Sequence, residues 1–372
     1  MRGGLSASQG LSQLRLLSRE TRAACRRGLT LPSWPMRIAV DAMGGDHAPG
    51  AVVEGALLAA RDLGIEVLLV GQKEQVEKEL RRHSAGVSSV EVVPASQTVT
   101  MDESPSATLK KKDSSMRVAC ELVKQGEVKA AVSAGNSGAF MATGMFVLGN
   151  LPGVERPAIL VVVPTQGKGT VIIDAGANVD CRPSHLVQFA LMGSIYAEGV
   201  LGIARPRVGV LSNGEEEGKG NDLTRAVSEQ LRLTPLNYMG YVEGGDISKG
   251  TVDVVVCDGF TGNVALKTME GVASLIVRVL KDAFQKSYLS RLGYLLSRKA
   301  LFQAYARLDD AEYGGAPLLG LNGVAIIGHG VSGPKAIKNA IRVAQEAVSH
   351  DINHRIIEGL AGLVEGGGGK SG

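Results

Sequence analysis

Seven short apolar runs in this chain each stop abruptly in glycine plus a polar residue. They end in Asp41-Ala-Met-Gly44-Gly45-Asp46-His47, Ser133-Ala-Gly135-Asn136-Ser137-Gly138 and Asp174-Ala-Gly176-Ala-Asn178. Ser212-Asn213-Gly214-Glu215, Glu243-Gly244-Gly245-Asp246, Asp258-Gly259-Phe260-Thr261-Gly262-Asn263 and Gly328-His329-Gly330 complete the set. Glycine lets a backbone approach a ligand closely, and the free N–H groups that open a following helix attract anions. The turns at 134–138, at 258–263 with Lys267 one turn on, and at 328–333 therefore suit a phosphate or carboxylate. The run from Asn213 to Asn221 holds three acids and then Lys219. It reads either as a solvated helix start or as a loop shaped around a ligand that Lys219 reaches. Any one such turn is ordinary βα-loop chemistry. Seven of them favour an active site at the strand ends.

Other chemistries are disfavoured. The first turn is not Gly-x-Gly-x-x-Gly, and the second strand ends Val70-Gly71-Gln72 without an acid for a ribose. The Gly-Lys-Ser near the C-terminus has no strand before it, so no Walker site forms. Gly-x-Ser-x-Gly and His-Glu-x-x-His are both missing. The four cysteines are scattered without a Cys-x-x-Cys pair, the usage of a reducing compartment. We expect no cofactor and no protein-bound metal.

The elements that position these residues alternate. Strands are expected near 37–41, 66–70, 89–93, 130–133, 158–163, 170–174, 207–211, 239–242, 252–257 and 322–327. Helices are expected near 50–63, 74–83, 107–125, 137–148, 184–200, 219–232, 262–285 and 334–358. Such alternation specifies an α/β fold, a three-layer, doubly wound and largely parallel sheet. The 44% apolar but only 4% aromatic composition makes the core Val, Ile, Leu and Ala. Residues 36–360 read as one domain whose strand ends converge on a single cleft. Residues 1–35 carry six arginines against one acid and read as a leader, either an upstream start before Met36 or a transit peptide. Residues 361–372 read as a flexible tail.

Residues 281–307 break the pattern as an amphipathic basic helical segment. Leu289, Leu292 and Leu296 recur at helical spacing, with Arg291, Arg298 and Lys299 around them. Such a segment suits a membrane interface carrying anionic lipid, or equally a helix pair at a dimer interface. No run is long enough to span a bilayer. A net charge of +3 without a basic stripe argues against nucleic acid.

At Met36–Pro49, Ser133–Ala139, Asp174–Asn178, Asn213–Asn221, Asp258–Asn263, Tyr313–Gly320 and Gly328–Gly330 the chain resembles the bacterial acyl-ACP:phosphate acyltransferases, the PlsX family. The resemblance runs in order from Met36 to about residue 358 and favours an upstream start for the leader. It implies the isopropylmalate dehydrogenase/phosphate acetyltransferase-like fold. It also implies transfer of a long acyl chain from acyl carrier protein to inorganic phosphate, giving acyl phosphate for phosphatidic acid and phospholipid synthesis. A homodimer, cytoplasmic and peripheral on the inner face of the cell membrane, is implied as well. Phosphate is itself a nucleophile, so the protein must orient it and stabilise the oxyanion. We expect Lys219, Asn263 and His329 to be catalytic, with His329, or less readily His47, protonating the thiolate or donating to the carbonyl. Asp41, Gly44, Gly45, His47, Asn136, Ser137, Asn178, Asn213, Thr261 and Lys267 form the expected substrate-binding set, Asp41 more as a loop organiser than a contact. Leu289, Leu292, Leu296, Arg291, Arg298 and Lys299 are the expected carrier and membrane contacts. The rivals are a short-chain acyl-CoA:phosphate transferase, a nicotinamide-dependent hydroxyacid dehydrogenase and a lipid-regulatory scaffold.

Overall fold

A computed structural model describes residues 36–83, 89–165, 167–306 and 314–367. The leader, Tyr313 and residues 368–372 of the expected tail lie outside the described residues. Val-, Ile- and Ala-rich runs covered on both faces form eleven strands of one sheet, ordered β3-β2-β1-β4-β11-β10-β5-β6-β9-β7-β8. The strands are β1 (Arg37–Asp41), β2 (Glu66–Gly71), β3 (Val90–Pro94), β4 (Ala130–Ser133), β5 (Ala158–Val163) and β6 (Thr170–Ile173). They continue with β7 (Arg207–Leu211), β8 (Asn237–Val242), β9 (Val254–Val256), β10 (Ala316–Leu319) and β11 (Val324–Ile327). The helices are α1 (Gly50–Leu63), α2 (Lys73–Arg82), α3 (Pro105–Thr108), α4 (Ser115–Gln125), α5 (Ser137–Val147) and α6 (Pro183–Gly199). After them come α7 (Asp222–Leu231), α8 (Gly244–Lys249), α9 (Gly259–Gln285), α10 (Tyr288–Ala306), α11 (Pro334–Ser349) and α12 (Ile352–Gly367). Separate apolar clusters form on each half of the sheet, one around Phe140 and Met116 and another around Phe189 and Met192.

The sheet departs from expectation in one consequential way. β3, β2, β1, β4 and β11 are mutually parallel, as are β6, β9, β7 and β8. Between these sets, β10 is antiparallel to β11 and to β5, and β5 is antiparallel to β6. The two halves therefore run in opposite directions, and their carboxyl ends lie on opposite edges. The expected convergence of all seven ends on one edge is wrong. The linking strand β10 was not expected because Pro317 interrupts a run bounded by glycines; it nevertheless pairs with Ile326.

Two corrections concern the C-terminus. The helix expected at 334–358 is broken at His350–Asp351, where Asp351 takes φ +49°. α12 then runs through the expected tail to Gly367, because Leu360 and Leu363 pack on the core around Phe189.

A buried histidine fixes the start of α6. His185 Nδ1 accepts the Arg182 N–H at 3.1 Å, and Nε2 lies 3.0 Å from Glu155 Oε2. Burial, ahead of Glu155's opposing charge, lowers its titration below the ordinary 6.5. The unfolded chain therefore binds this proton first, and stability held above the ordinary value is lost as pH falls through the folded one. Denaturant midpoints should drop on acidification through the histidine range, and His185→Gln should flatten that part of the curve.

Candidate active site

On the edge where β1, β4 and β11 end, loops are drawn tightly together. Asp41 is only 2% exposed and accepts Ser133 Oγ at 2.7 Å and the Met43 N–H at 3.1 Å. Burial pushes its carboxyl up, and the Ser115 and Ser133 hydroxyls oppose that. Asp41 is therefore scaffold, which corrects its place in the substrate-binding set. A Cβ on Gly44 would sit 2.7 Å from both Asp41 Oδ2 and Gly135 N. Gly45, at φ +102°, would meet Gly330 O at 3.0 Å. Their lack of side chains lets this loop dock on its neighbours, and Asp46 N–H donates to Gly330 O at 2.8 Å. His47 is exposed on the same loop.

Asn136 caps α5 by accepting the Ala139 N–H at 3.0 Å, and its Nδ2 donates to Met101 O and Glu103 O. With its amide so engaged, Asn136 cannot also hold phosphate. Ser137, exposed at the first position of α5, makes no side-chain hydrogen bond among the described residues. The anion-binding capacity of this turn thus rests on the Ser137 hydroxyl and the first free N–H groups of α5.

On the opposite edge, where β6, β9 and β7 end, Asp174 is the organiser. Its carboxylate accepts from Ile159 N, Gly176 N, Ala177 N, Asn178 N and Asn178 Nδ2, all within 2.7–3.1 Å. Burial pushes this carboxyl up too, and those donors oppose it. Asn178 is 5% exposed, with Nδ2 also held by Pro157 O at 2.8 Å, so it braces the loop and does not touch substrate. Asp258 caps α9 by accepting Thr261 N and Oγ1, which commits Thr261 to the cap. Asn213 Oδ1 closes its loop on the Gly220 N–H at 2.9 Å. Lys219 is exposed on that loop, 3.9 Å from Glu216. β7 pairs directly with β9, so this loop and α9 leave neighbouring strands at one edge.

The thiols here are inert. Burial pushes Cys181 up to about 11, helped by Asp174 and Asp258, and raises Cys257 well above the ordinary thiol value. Neither is a nucleophile at neutral pH.

The two edges meet through α9, which returns along the sheet. Lys267 lies eight residues past Gly259, about 12 Å along the helix at ~1.5 Å per residue. There its Nζ is 3.4 Å from His329 Nε2 and 2.7 Å from Glu270 Oε2. Asn263 is one turn earlier on the same face, exposed beside Gly176 and without a side-chain hydrogen bond among the described residues. The His329 turn in turn touches the Gly45–Asp46 loop and Met101. Ser137, His47, His329, Lys267 and Asn263 are thereby gathered around linked loops, whereas Lys219 stands on the neighbouring loop. Sequence reasoning missed Glu270, whose i,i+3 spacing from Lys267 was a usable signal. It also missed the Met101–Glu103 loop, which has none.

A family model described as "Fatty acid synthesis protein" matches residues 36–355. The phosphate acyltransferase of Geobacter sp. (strain M21) is 58% identical over 326 residues, 87% of this chain and 93% of that protein. That of Geotalea uraniireducens (strain Rf4) is 56% identical over 326 residues, covering 87% of this chain and 94% of the relative. This chain belongs to the phosphate acyltransferase (PlsX) family. It is an acyltransferase of lipid synthesis, and the dehydrogenase and scaffold readings fall away. A phosphotransacetylase from Streptococcus pyogenes has the same fold, with a TM-score of 0.58 at 17% identity, over 84% of this chain and 94% of that one.

Among the described residues, no helix is long and apolar enough to cross a membrane. α9 and α10 nonetheless expose a large apolar surface. Leu275 and Val279 are 53% and 57% exposed, and Leu289 and Leu296 are 82% and 80% exposed. Arg291, Arg298 and Lys299 are exposed among them.

Proposed function

We propose that the chain moves a long-chain acyl group from the thioester of acyl carrier protein to inorganic phosphate, giving acyl phosphate for phosphatidic acid synthesis. One observation carries this reading. Among the described residues, the side chains without protein partners at the site include Ser137, Asn263 and one ring nitrogen of His329, with Asp46 the one unpartnered carboxylate beside them, while the thiols are unionised and the buried carboxylates are occupied. Such a site suits a substrate that brings its own nucleophile. Phosphate is held at the start of α5 by Ser137 and the free N–H groups. Asn263, with Lys219 swung in from the neighbouring loop, steadies the oxyanion that forms at the thioester carbon. The exposed apolar faces of α9 and α10 favour a long acyl chain over acetyl.

Thiol release from palmitoyl-acyl carrier protein, with and without phosphate, tests this beside palmitoyl-CoA and acetyl-CoA. Phosphate-dependent release from the carrier substrate is expected. Release from acetyl-CoA alone would replace the proposal with the short-chain reading.

In this reading a second copy of the chain covers the α9 face, and the tip of α10, Leu289, Leu292 and Leu296, rests on anionic membrane. Arg291, Arg298 and Lys299 form a basic rim for the acidic carrier. Reversing Arg298 and Lys299 to glutamate should raise KM for acyl carrier protein about tenfold with little change in kcat, and added salt should do the same to the native protein. An unchanged KM would remove the rim from the docking surface.

A further inference from the structure

The contact between Lys267 and His329 determines more than proximity. An ammonium group has donors and no acceptor, so Lys267 Nζ, 3.4 Å from His329 Nε2, can donate to it only in the tautomer that keeps a lone pair on Nε2. In that tautomer the ring proton sits on Nδ1. That nitrogen makes no hydrogen bond among the described residues, so it is a donor open to whatever enters the site. Glu270, at 2.7 Å from Lys267 Nζ and one turn further along α9, holds the ammonium in place.

We propose that His329 works as a neutral hydrogen-bond donor through Nδ1–H, its tautomer set by Lys267 and Lys267 positioned by Glu270. The assignment of a role rests on the thioester reading above. It chooses between the two roles expected for this histidine. Loss of a proton from a neutral imidazole would leave an imidazolate, so this tautomer is no proton source for the departing sulfur. It can instead polarise the thioester carbonyl and stabilise the oxyanion, as neutral imidazoles do elsewhere at carbonyl centres. The balance needs no further acid. A phosphate oxygen–carbon bond forms, the carbon–sulfur bond breaks, and the proton of hydrogen phosphate ends on the thiol by way of solvent. Lys267 and Glu270 are positioning residues in this scheme.

Nitrogen NMR of histidine-labelled full-length protein reads the tautomer directly. His185 supplies an internal reference of the opposite kind, because its Nδ1 accepts the Arg182 N–H and its Nε2 faces Glu155. His329 is expected in the Nδ1–H form in the native protein. It should shift toward the Nε2–H form in Lys267→Met, and partway in Glu270→Gln, while His185 stays unchanged. A tautomer ratio at His329 indifferent to Lys267 would overturn the proposal.

Kinetics test the donor role. His329→Gln replaces the ring donor with an amide N–H and should keep phosphate-dependent thiol release within about tenfold of the native rate. His329→Leu should lose ~10²-fold or more. Glutamine no better than leucine would refute the donor role. A native protein that releases no thiol would retire the thioester reading, and the tautomer measurement would still decide the Lys267–His329 assignment.

Discussion

Asn263→Ala is expected to slow phosphate-dependent thiol release by about 10²- to 10³-fold, the cost of one preorganised oxyanion donor, without lowering the melting temperature. The two halves of that expectation come from different observations. Asn263 is exposed on the first turns of α9 and makes no side-chain hydrogen bond among the described residues, so its truncation leaves no buried group unsatisfied. Its amide has no hydrogen-bonding duty among the described residues. Thr261, two residues before it, is the contrasting case. Its N–H and hydroxyl both bond Asp258, so Thr261→Ala keeps the first of these and should cost about 1 kcal/mol of stability with a smaller kinetic effect. Lys219→Ala should resemble Asn263→Ala, because among the described residues its ammonium meets only Glu216, in an exposed pair at 3.9 Å of little structural worth. Steady-state kinetics and thermal melts on the three variants separate the roles. An Asn263→Ala protein with native turnover would remove this residue from the chemistry.

The sequence revealed the elements better than their orientation. Each apolar run expected to be a strand is one, since a core of Val, Ile and Ala leaves little else to form. Orientation depends on β10, a four-residue strand with Pro317 inside it, and nothing local distinguishes such a strand from a turn. The short link between β5 and β6 already reverses the chain, but without β10 that reversal has no fixed relation to β11, and the strand ends fall on one imagined edge. The site was legible in its residue types for the same reason that it was overfilled. Asn, Asp and Thr at strand ends serve loops and ligands alike, and only hydrogen bonds separate the two uses. Asn136, Asn178 and Thr261 prove to be occupied, whereas Ser137 and Asn263 remain open. Glu270 escaped notice because its role depends on a lysine whose partner, His329, is 62 residues away in sequence.

Gly262→Ala should be the most damaging single-methyl change in the chain, and Gly271→Ala, nine residues along the same helix, should be harmless. A Cβ at Gly262 would overlap the backbone oxygen of Asp174 and lie 3.0 Å from Cys257 Sγ. Neither neighbour can yield. The Asp174 carboxylate is fixed by donors from Ile159, Gly176, Ala177 and Asn178, and Cys257 is enclosed in the core. Moving Asp174 would strand several N–H groups, and overpacking adds to that, for a total of about 3 kcal/mol or more. In a chain of this size that lowers the melting temperature by roughly 4 °C or more. At Gly271 a Cβ meets nothing within 4 Å, so alanine only reduces the backbone freedom lost on folding and should stabilise α9 by about 0.5–1 kcal/mol. Because Asn263 follows Gly262 directly, the damage at Gly262 should also displace the candidate oxyanion donor, and thiol release should fall even below the melting transition. Equal melting temperatures for the two alanine variants would mean that α9 does not seat against Asp174, and the link between the two sheet edges would lose its anchor.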